Sequence, residues 1–281
     1  VGGLGLGLGG GGGGGAVGMG AESFEWEVDF RDITLGKMLG SGSFGDVYKA
    51  SWLGAEVAVK RLRFTRRLSS ADLQEFRAEV NIMSKLRHVN VIQFVGACTV
   101  APNLSIVTEL LPRGSLYDVL RTEPIPWPRK AHIMHQAAAG MLYLHSRKPP
   151  IVHRDLKSDN FLVGGDYTVK VCDFGLARFK SAAGHVATSH NRSGTPGWMA
   201  PEVLRGERFN ESCDIYSFGV VMWELLTGEC PWEGMDPGAL TNTVGFQGKR
   251  LSLPSRPPPG CPPDYIQIMR DCWHQAPSRR P

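Results

Sequence analysis

The chain has 281 residues, 42% of them hydrophobic and 21% charged, enough for one large domain or two lobes with a proper core. No stretch approaches the roughly 20 apolar residues that span a bilayer, and six cysteines without a CxxC pair suit a reduced, cytoplasmic chain better than a disulfide scaffold. The net charge of +4 divides into −4 over residues 1–30 and +8 over the rest, which suits phosphates or nucleic acid and equally a solvated basic surface.

Thirteen of the 35 glycines fall in residues 1–20, interspersed only with Val, Leu, Ala and Met. There is no Gly-X-Y period, so collagen is excluded, and the backbone entropy of such a run argues for a flexible leader, set here at residues 1–29. From Ile33 the pattern turns to β, with runs at Ile33–Leu39, Val47–Trp52 and Glu56–Leu62 separated by glycine turns. Gly40-Ser41-Gly42-Ser43-Phe44-Gly45 lies between the first two. Alone, GxGxxG is weak; in a dinucleotide fold it opens a helix, whereas here Val47-Tyr48-Lys49-Ala50 begins another strand. A glycine loop inside a hairpin can lay backbone N–H groups over a nucleotide's phosphates.

Val57-Ala58-Val59-Lys60 follows, its alternation aiming Lys60 into the cleft beneath that loop, although a lone strand-end lysine is by default a surface residue. Ser69-Ser70-Ala71-Asp72 reads as the cap of a helix whose apolar stripe is Leu73, Phe76, Val80, Met83 and Leu86. Glu79 lies beside the stripe, nineteen positions after Lys60, and its carboxylate could hold the lysine; taken alone it would be an exposed helix residue. Further on, Ile215–Leu226 is the most apolar run, interrupted by Glu224, and reads as a buried helix.

The decisive cluster is His153-Arg154-Asp155-Leu156-Lys157-Ser158-Asp159-Asn160, then Asp173-Phe174-Gly175, Ala200-Pro201-Glu202 and Asp214-Ile215-Tyr216-Ser217-Phe218-Gly219. With the glycine loop and Lys60, this set resembles the eukaryotic protein kinase family over roughly residues 30–281. Lys157, two residues after Asp155, is the serine/threonine pattern. Gly114-Ser115-Leu116-Tyr117, Trp198-Met199-Ala200-Pro201-Glu202 and Asp271-Cys272-Trp273 have a tyrosine-kinase flavour. The mixture is similar to the tyrosine-kinase-like group, in particular Raf-like or mixed-lineage MAP kinase kinase kinases of plant or algal type.

The resemblance implies an α+β, bilobal fold: a small β-rich N-lobe (about 30–108), a hinge (109–111) and a larger, mainly helical C-lobe (112–281), with one more helix expected after Pro281. It implies ATP and Mg²⁺ as cofactors and a protein substrate, possible downstream kinases among them, and it assigns the basic site residues to ATP, leaving no role for nucleic acid. Asp155 would take the proton of the substrate hydroxyl and Lys157 would neutralise the transferring phosphate. Lys60 would hold the α/β-phosphates and Glu79 would hold Lys60. Asn160 and Asp173 would be the metal ligands. ATP would meet Gly40, Ser41, Gly42, Ser43, Phe44, Gly45, Val47 and Ala58, the gatekeeper Thr108, the hinge residues Glu109 and Leu111, and Leu162. Met83, Phe94, His153 and Phe174, anchored by Asp214, match a stacked hydrophobic column, and Arg280 would pair with Glu202.

Arg154 is suited to pair with a phosphorylated activation segment in which Thr188, Ser189 and Ser193 are the candidate phosphosites; Thr195 matches a substrate-positioning threonine instead. Cys172 is either a buried, inert residue or a thiol open to electrophiles. Two departures from the family pattern are Val89, where proline is usual, and Gly197, which could loosen the substrate-binding segment. A catalytically weak scaffold that binds nucleotide through the same fold stays open beside the enzyme reading.

Overall fold

A computed structural model describes residues 25–42, 45–63, 70–179 and 194–281. The β-rich part is a five-stranded antiparallel sheet of β1 (Ile33–Gly42), β2 (Gly45–Trp52), β3 (Ala55–Arg61), β4 (Phe94–Cys98) and β5 (Ser105–Glu109), in the order β1-β2-β3-β5-β4. Between β3 and β4 runs α1 (Ser70–Met83). The β2–β3 hairpin turns on Leu53 and Gly54, both at positive φ, as a tight two-residue connection with the native twist requires.

The first two strands are longer than the sequence suggests, because the glycine segment keeps its ladder pairing. Gly40 pairs with Val47, Ser41 with Asp46 and Gly42 with Gly45. Gly45 has φ +145, and a Cβ there would lie 2.1 Å from the Arg61 carbonyl oxygen, so no other residue fits. The pleat of β3 sends Val57 and Val59 into a small cluster with Val28, Ile33, Ala50, Cys98 and Val107, and leaves Ala58 and Lys60 on the opposite face.

The larger part is helical: α2 (Leu116–Thr122), α3 (Trp127–His145), α4 (Pro201–Leu204), α5 (Ser212–Thr227), α6 (Pro237–Leu240) and α7 (Tyr265–Cys272). Two small ribbons accompany it, β6 (Ile151–Val152) with β9 (Arg178–Phe179), and β7 (Phe161–Val163) with β8 (Val169–Val171). The Ser115 hydroxyl and the Asp118 carboxylate form a reciprocal capping box that starts α2 at the cleft edge. The apolar run expected as a buried helix is α5, with Glu224 fully enclosed, and Gly228 at φ +77 ends it. On α5 a Cβ at Gly219 would lie 2.9 Å from Cys272, so α5 and α7 pack almost backbone to backbone.

One core cluster joins both parts, from Phe76, Val80, Met83 and Leu86 of the α1 region to Met269 and Trp273 near the end. Leu73, expected in the same stripe, is only partly buried against it. Met83, Phe94, His153 and Phe174 are all buried, and the His153 and Phe174 rings lie 5.5 Å apart. The cap expected at Ser69 lies outside the described residues.

The contacts of the β-rich part begin before residue 30. Trp26 meets Phe94 edge-on at 6.1 Å, Val28 is buried, and backbone bonds run Val28 N–H to Ala97 O and Ala97 N–H to Trp26 O. Apolar Trp26 and Val28, alternating with Glu27, make a short strand-like contact inside what composition alone assigned to the leader. Gly197 is also packed more closely than expected, since a Cβ there would lie 3.4 Å from the Pro231 carbonyl oxygen.

The buried Arg280 guanidinium grips Glu202 in two bonds of 2.6 and 2.8 Å, and its remaining N–H groups reach the carbonyls of Ser212 and His274 at 2.9 Å and of Gln275 at 3.4 Å. Arg280→Ala would strand the Glu202 carboxylate in the core. Equilibrium denaturation should show a loss of about 3–5 kcal/mol, with a matching fall in Tm.

Candidate active site

The site starts from an ammonium. Lys60 on β3 donates to Glu79 of α1 at 2.8 Å and to Asp173 at 2.7 Å, so one cation joins the sheet, the helix and the segment after β8. Burial disfavours the charge on Lys60, but the two carboxylates outweigh it and hold its pKa above the usual value. Burial likewise pushes the Asp173 carboxyl up, and Lys60 beside it more than reverses this, leaving it below the usual range. Asp173 sits at φ +60 and Arg154 at φ +73, strained positions for non-glycine residues that the surrounding bonds must enforce.

Asp214, at the start of α5, supplies much of that enforcement. Its carboxylate is buried and accepts the backbone N–H groups of His153 at 2.8 Å and Arg154 at 2.9 Å, and His145 Nε2 is 2.9 Å away. Burial raises the Asp214 pKa, while these partners pull it to a net position below normal. The loop so fixed presents Asp155, whose Oδ1 accepts both the backbone N–H and the hydroxyl of Thr195 at 2.8 Å. Asn160 turns its amide nitrogen to the Asp155 carbonyl at 2.6 Å and lies 3.5 Å from Asp155 Oδ2.

Between the lobes lies a cleft of about 410 Å³. Gly40, Gly42, Gly45, Val47 and Ala58 form its roof, Thr108, Glu109 and Leu111 its back edge, and Leu162 and Cys172 its floor; Lys60, Glu79, Asp155, Lys157, Asn160 and Asp173 line its polar end. The end of β5 is braced by the Glu109 carboxylate, which accepts from Lys170 Nζ and from the Gln93 backbone N–H, both at 2.7 Å.

A sheet carrying a glycine turn over a lysine–carboxylate triad, above a loop with Asp155 and Asn160, is matched by the family model for protein tyrosine and serine/threonine kinases over residues 33–281. The chain belongs to this kinase family. It is 45% identical over 267 residues to serine/threonine-protein kinase CTR1 of Arabidopsis thaliana, covering 94% of this chain and 32% of that protein. To the probable serine/threonine-protein kinase SIS8 of the same plant it is 47% identical, covering 91% of this chain and 24% of that one. To the probable serine/threonine-protein kinase drkB of Dictyostelium discoideum it is 43% identical, covering 91% and 36%. The kinase chain thus spans about a third or less of the length of these curated relatives.

Most of the described residues expected at the kinase site line the cleft, with two exceptions. Ser41 does not line it; its hydroxyl meets the Arg63 guanidinium, which also pairs with Asp46. Arg154 lies behind the loop with its guanidinium 5.7 Å from the Phe209 ring centre. Ser43, Phe44, Thr188, Ser189 and Ser193 lie outside the described residues. Sequence reasoning missed Ser115, Asp118 and Asp159, which line the cleft mouth. The Ser115–Asp118 capping spacing was the one signal that could have drawn attention there.

Cys172 is half-buried in the floor. Burial, reinforced by the neighbouring Asp173, pushes its thiol well above the usual value despite Lys60, which favours the inert reading over the reactive one. Iodoacetamide at pH 7.5 should label Cys172 at least roughly tenfold more slowly in the native chain than in the unfolded one, as read by peptide mass spectrometry.

Proposed function

We propose that the chain is an ATP-dependent serine/threonine protein kinase domain, acting in a MAP kinase kinase kinase-like signalling role with downstream kinases as substrates. The observation that carries this reading is the Lys60–Glu79–Asp173 triad assembled above Asp155 in one cleft. The serine/threonine preference is supported by Lys157 two residues after Asp155 and by the names of the relatives. Among the described residues no helix is long and apolar enough to cross a membrane.

Phosphoryl transfer asks a protein mainly for positioning and for neutralising a polyanion. The apolar roof and floor, Val47, Ala58 and Leu162, fit a flat base, and the backbone at Glu109–Leu111 would pair with its edge. Lys60, its charge favoured and its direction set by two carboxylates, would meet the α/β-phosphates. Asn160 and Asp173 offer two protein oxygens, the small number that Mg²⁺ takes when phosphates complete its shell. Bound there, Mg²⁺ would offset charge on the phosphate oxygens. Thr195 occupies Asp155 Oδ1, which leaves Oδ2 as the oxygen to accept a proton from the substrate hydroxyl. Lys157 lines the same end of the cleft, where it would face the transferred group.

Wild-type chain should phosphorylate a generic Ser/Thr protein, with Asp173→Asn as the blank; equal incorporation by the two would refute the enzyme reading. Asp155→Asn should lower kcat by about 10²–10⁴ with little change in the KM for ATP. Arg154 and the segment holding Thr188, Ser189 and Ser193 are proposed as the phosphorylation-controlled element. A chain with all three changed to Ala should turn over more slowly than the phosphorylated wild type in a steady-state assay.

A further inference from the structure

Glu224, near the end of α5, is an acid for which the chemistry above has no use. Its side chain is fully buried, and its two oxygens have different partners. Oε1 accepts the Ser158 hydroxyl at 2.7 Å, and Oε2 accepts the Trp198 indole N–H at 2.7 Å. Ser158 sits in the catalytic loop between Lys157 and Asn160. Trp198 lies three residues after Thr195, itself bonded to Asp155. One carboxylate thus ties the loop that carries the reacting groups to the segment that follows Thr195. A further bond from the Ser217 hydroxyl to the Trp198 backbone carbonyl, 2.8 Å, holds the main chain of the same residue from α5.

We propose that Glu224 is a positioning residue that holds the protein-substrate segment against the catalytic loop, and that the hold loosens when its carboxylate takes up a proton. This rests on the kinase reading, in which the segment around Thr195 and Gly197 meets the protein substrate.

The two donors are neutral, and the charged groups facing Glu224 oppose one another: Asp159 of the catalytic loop disfavours its charge and Arg121 of α2 favours it. The Cys230 thiol beyond α5 also feels it. Burial, the largest influence, pushes the Glu224 carboxyl up to about 7. Above that pH both oxygens accept charge-assisted bonds. Below it, one oxygen bears a hydrogen. The indole can only donate, so it keeps the remaining acceptor, and the new O–H must point at Ser158, whose hydroxyl reverses and accepts. Both contacts survive but become neutral ones, and Ser158 must reorient inside the loop. The stability sign runs the opposite way. A carboxyl that binds its proton more tightly folded than unfolded favours the fold most below its unfolded pKa, and that contribution is lost as pH rises through about 7. A glutamine in its place should therefore leave stability at pH 8 undiminished.

The experiment is steady-state phosphorylation of dephosphorylated casein at saturating Mg-ATP from pH 6 to 8.5, comparing wild type with Glu224→Gln. The wild-type KM for casein should fall about fivefold as pH rises through neutrality, the scale of exchanging a neutral for a charged bond. E224Q should hold the acid-limb KM throughout, with an unchanged KM for ATP and a Tm at pH 8 no lower than wild type. Trp198→Phe removes only the indole donor from Oε2 and should move the midpoint of the casein profile to higher pH. Superimposable profiles for wild type and E224Q, or equal rises in the KM for casein and for ATP, would overturn the proposal. If E224Q does not fold, a W198F midpoint equal to wild type overturns it. Wild type that transfers nothing to casein refutes the kinase reading itself, a result separate from transfer whose KM ignores Glu224.

Discussion

Lys60 shares a single positive charge between Glu79 and Asp173, which lie 19 and 113 positions further along the chain. A buried ammonium is tolerable only while its carboxylates are in place, and each carboxylate is tolerable only while the ammonium is. The sheet, α1 and the Asp173 segment are therefore bound into one arrangement through the ammonium, since removing Lys60 leaves two carboxylates facing each other without a cation. Beneath them the buried Met83, Phe94, His153 and Phe174 keep the same three segments in apolar contact. Charge sets the orientation at the cleft, and packing below sets the distance between the lobes.

The acids of α5 show how environment decides the state of chemically similar groups. Asp214 and Glu224 are both fully enclosed on one helix, yet one is held below the usual carboxylate range and the other above it. Burial pushes both upward. Asp214 overcomes this with His145 and two backbone N–H groups at the mouth of the catalytic loop. Among the described residues Glu224 has only a hydroxyl and an indole as donors. At similar depth, the larger set of donors holds Asp214 low while Glu224 is pushed up.

Much of the site was readable in the sequence because phosphate chemistry requires particular residues in order: glycines before a strand, a lysine on the next, Asp155 and Asn160 five apart, then Asp173. Glu79 was weaker, since nothing local distinguishes it from a solvated helix residue; only the fold buries it against Lys60. Pairings between distant residues left no local mark. The brace from Lys170 to Glu109 spans 61 positions, and the tie from Glu224 to Ser158 spans 66. Trp26 and Val28 were assigned to the leader because composition averages over a window, whereas burial depends on each side chain's contact. The extension of β1 to Gly42 escaped for a related reason, as glycine weakens a strand pattern without preventing ladder bonds.

Because α5 carries an anchor near each end, the helix behaves as a ruler. Asp214 fixes the start of the catalytic loop and Glu224 fixes Ser158 further along it. At 1.5 Å and about 100° per residue, the ten positions between them set both a separation of about 15 Å and a relative direction. A changed side chain elsewhere on α5 alters packing by degrees. One inserted or deleted residue would swing one anchor about a quarter-turn away from its partner, so chain length between positions 214 and 224 is held more tightly than composition.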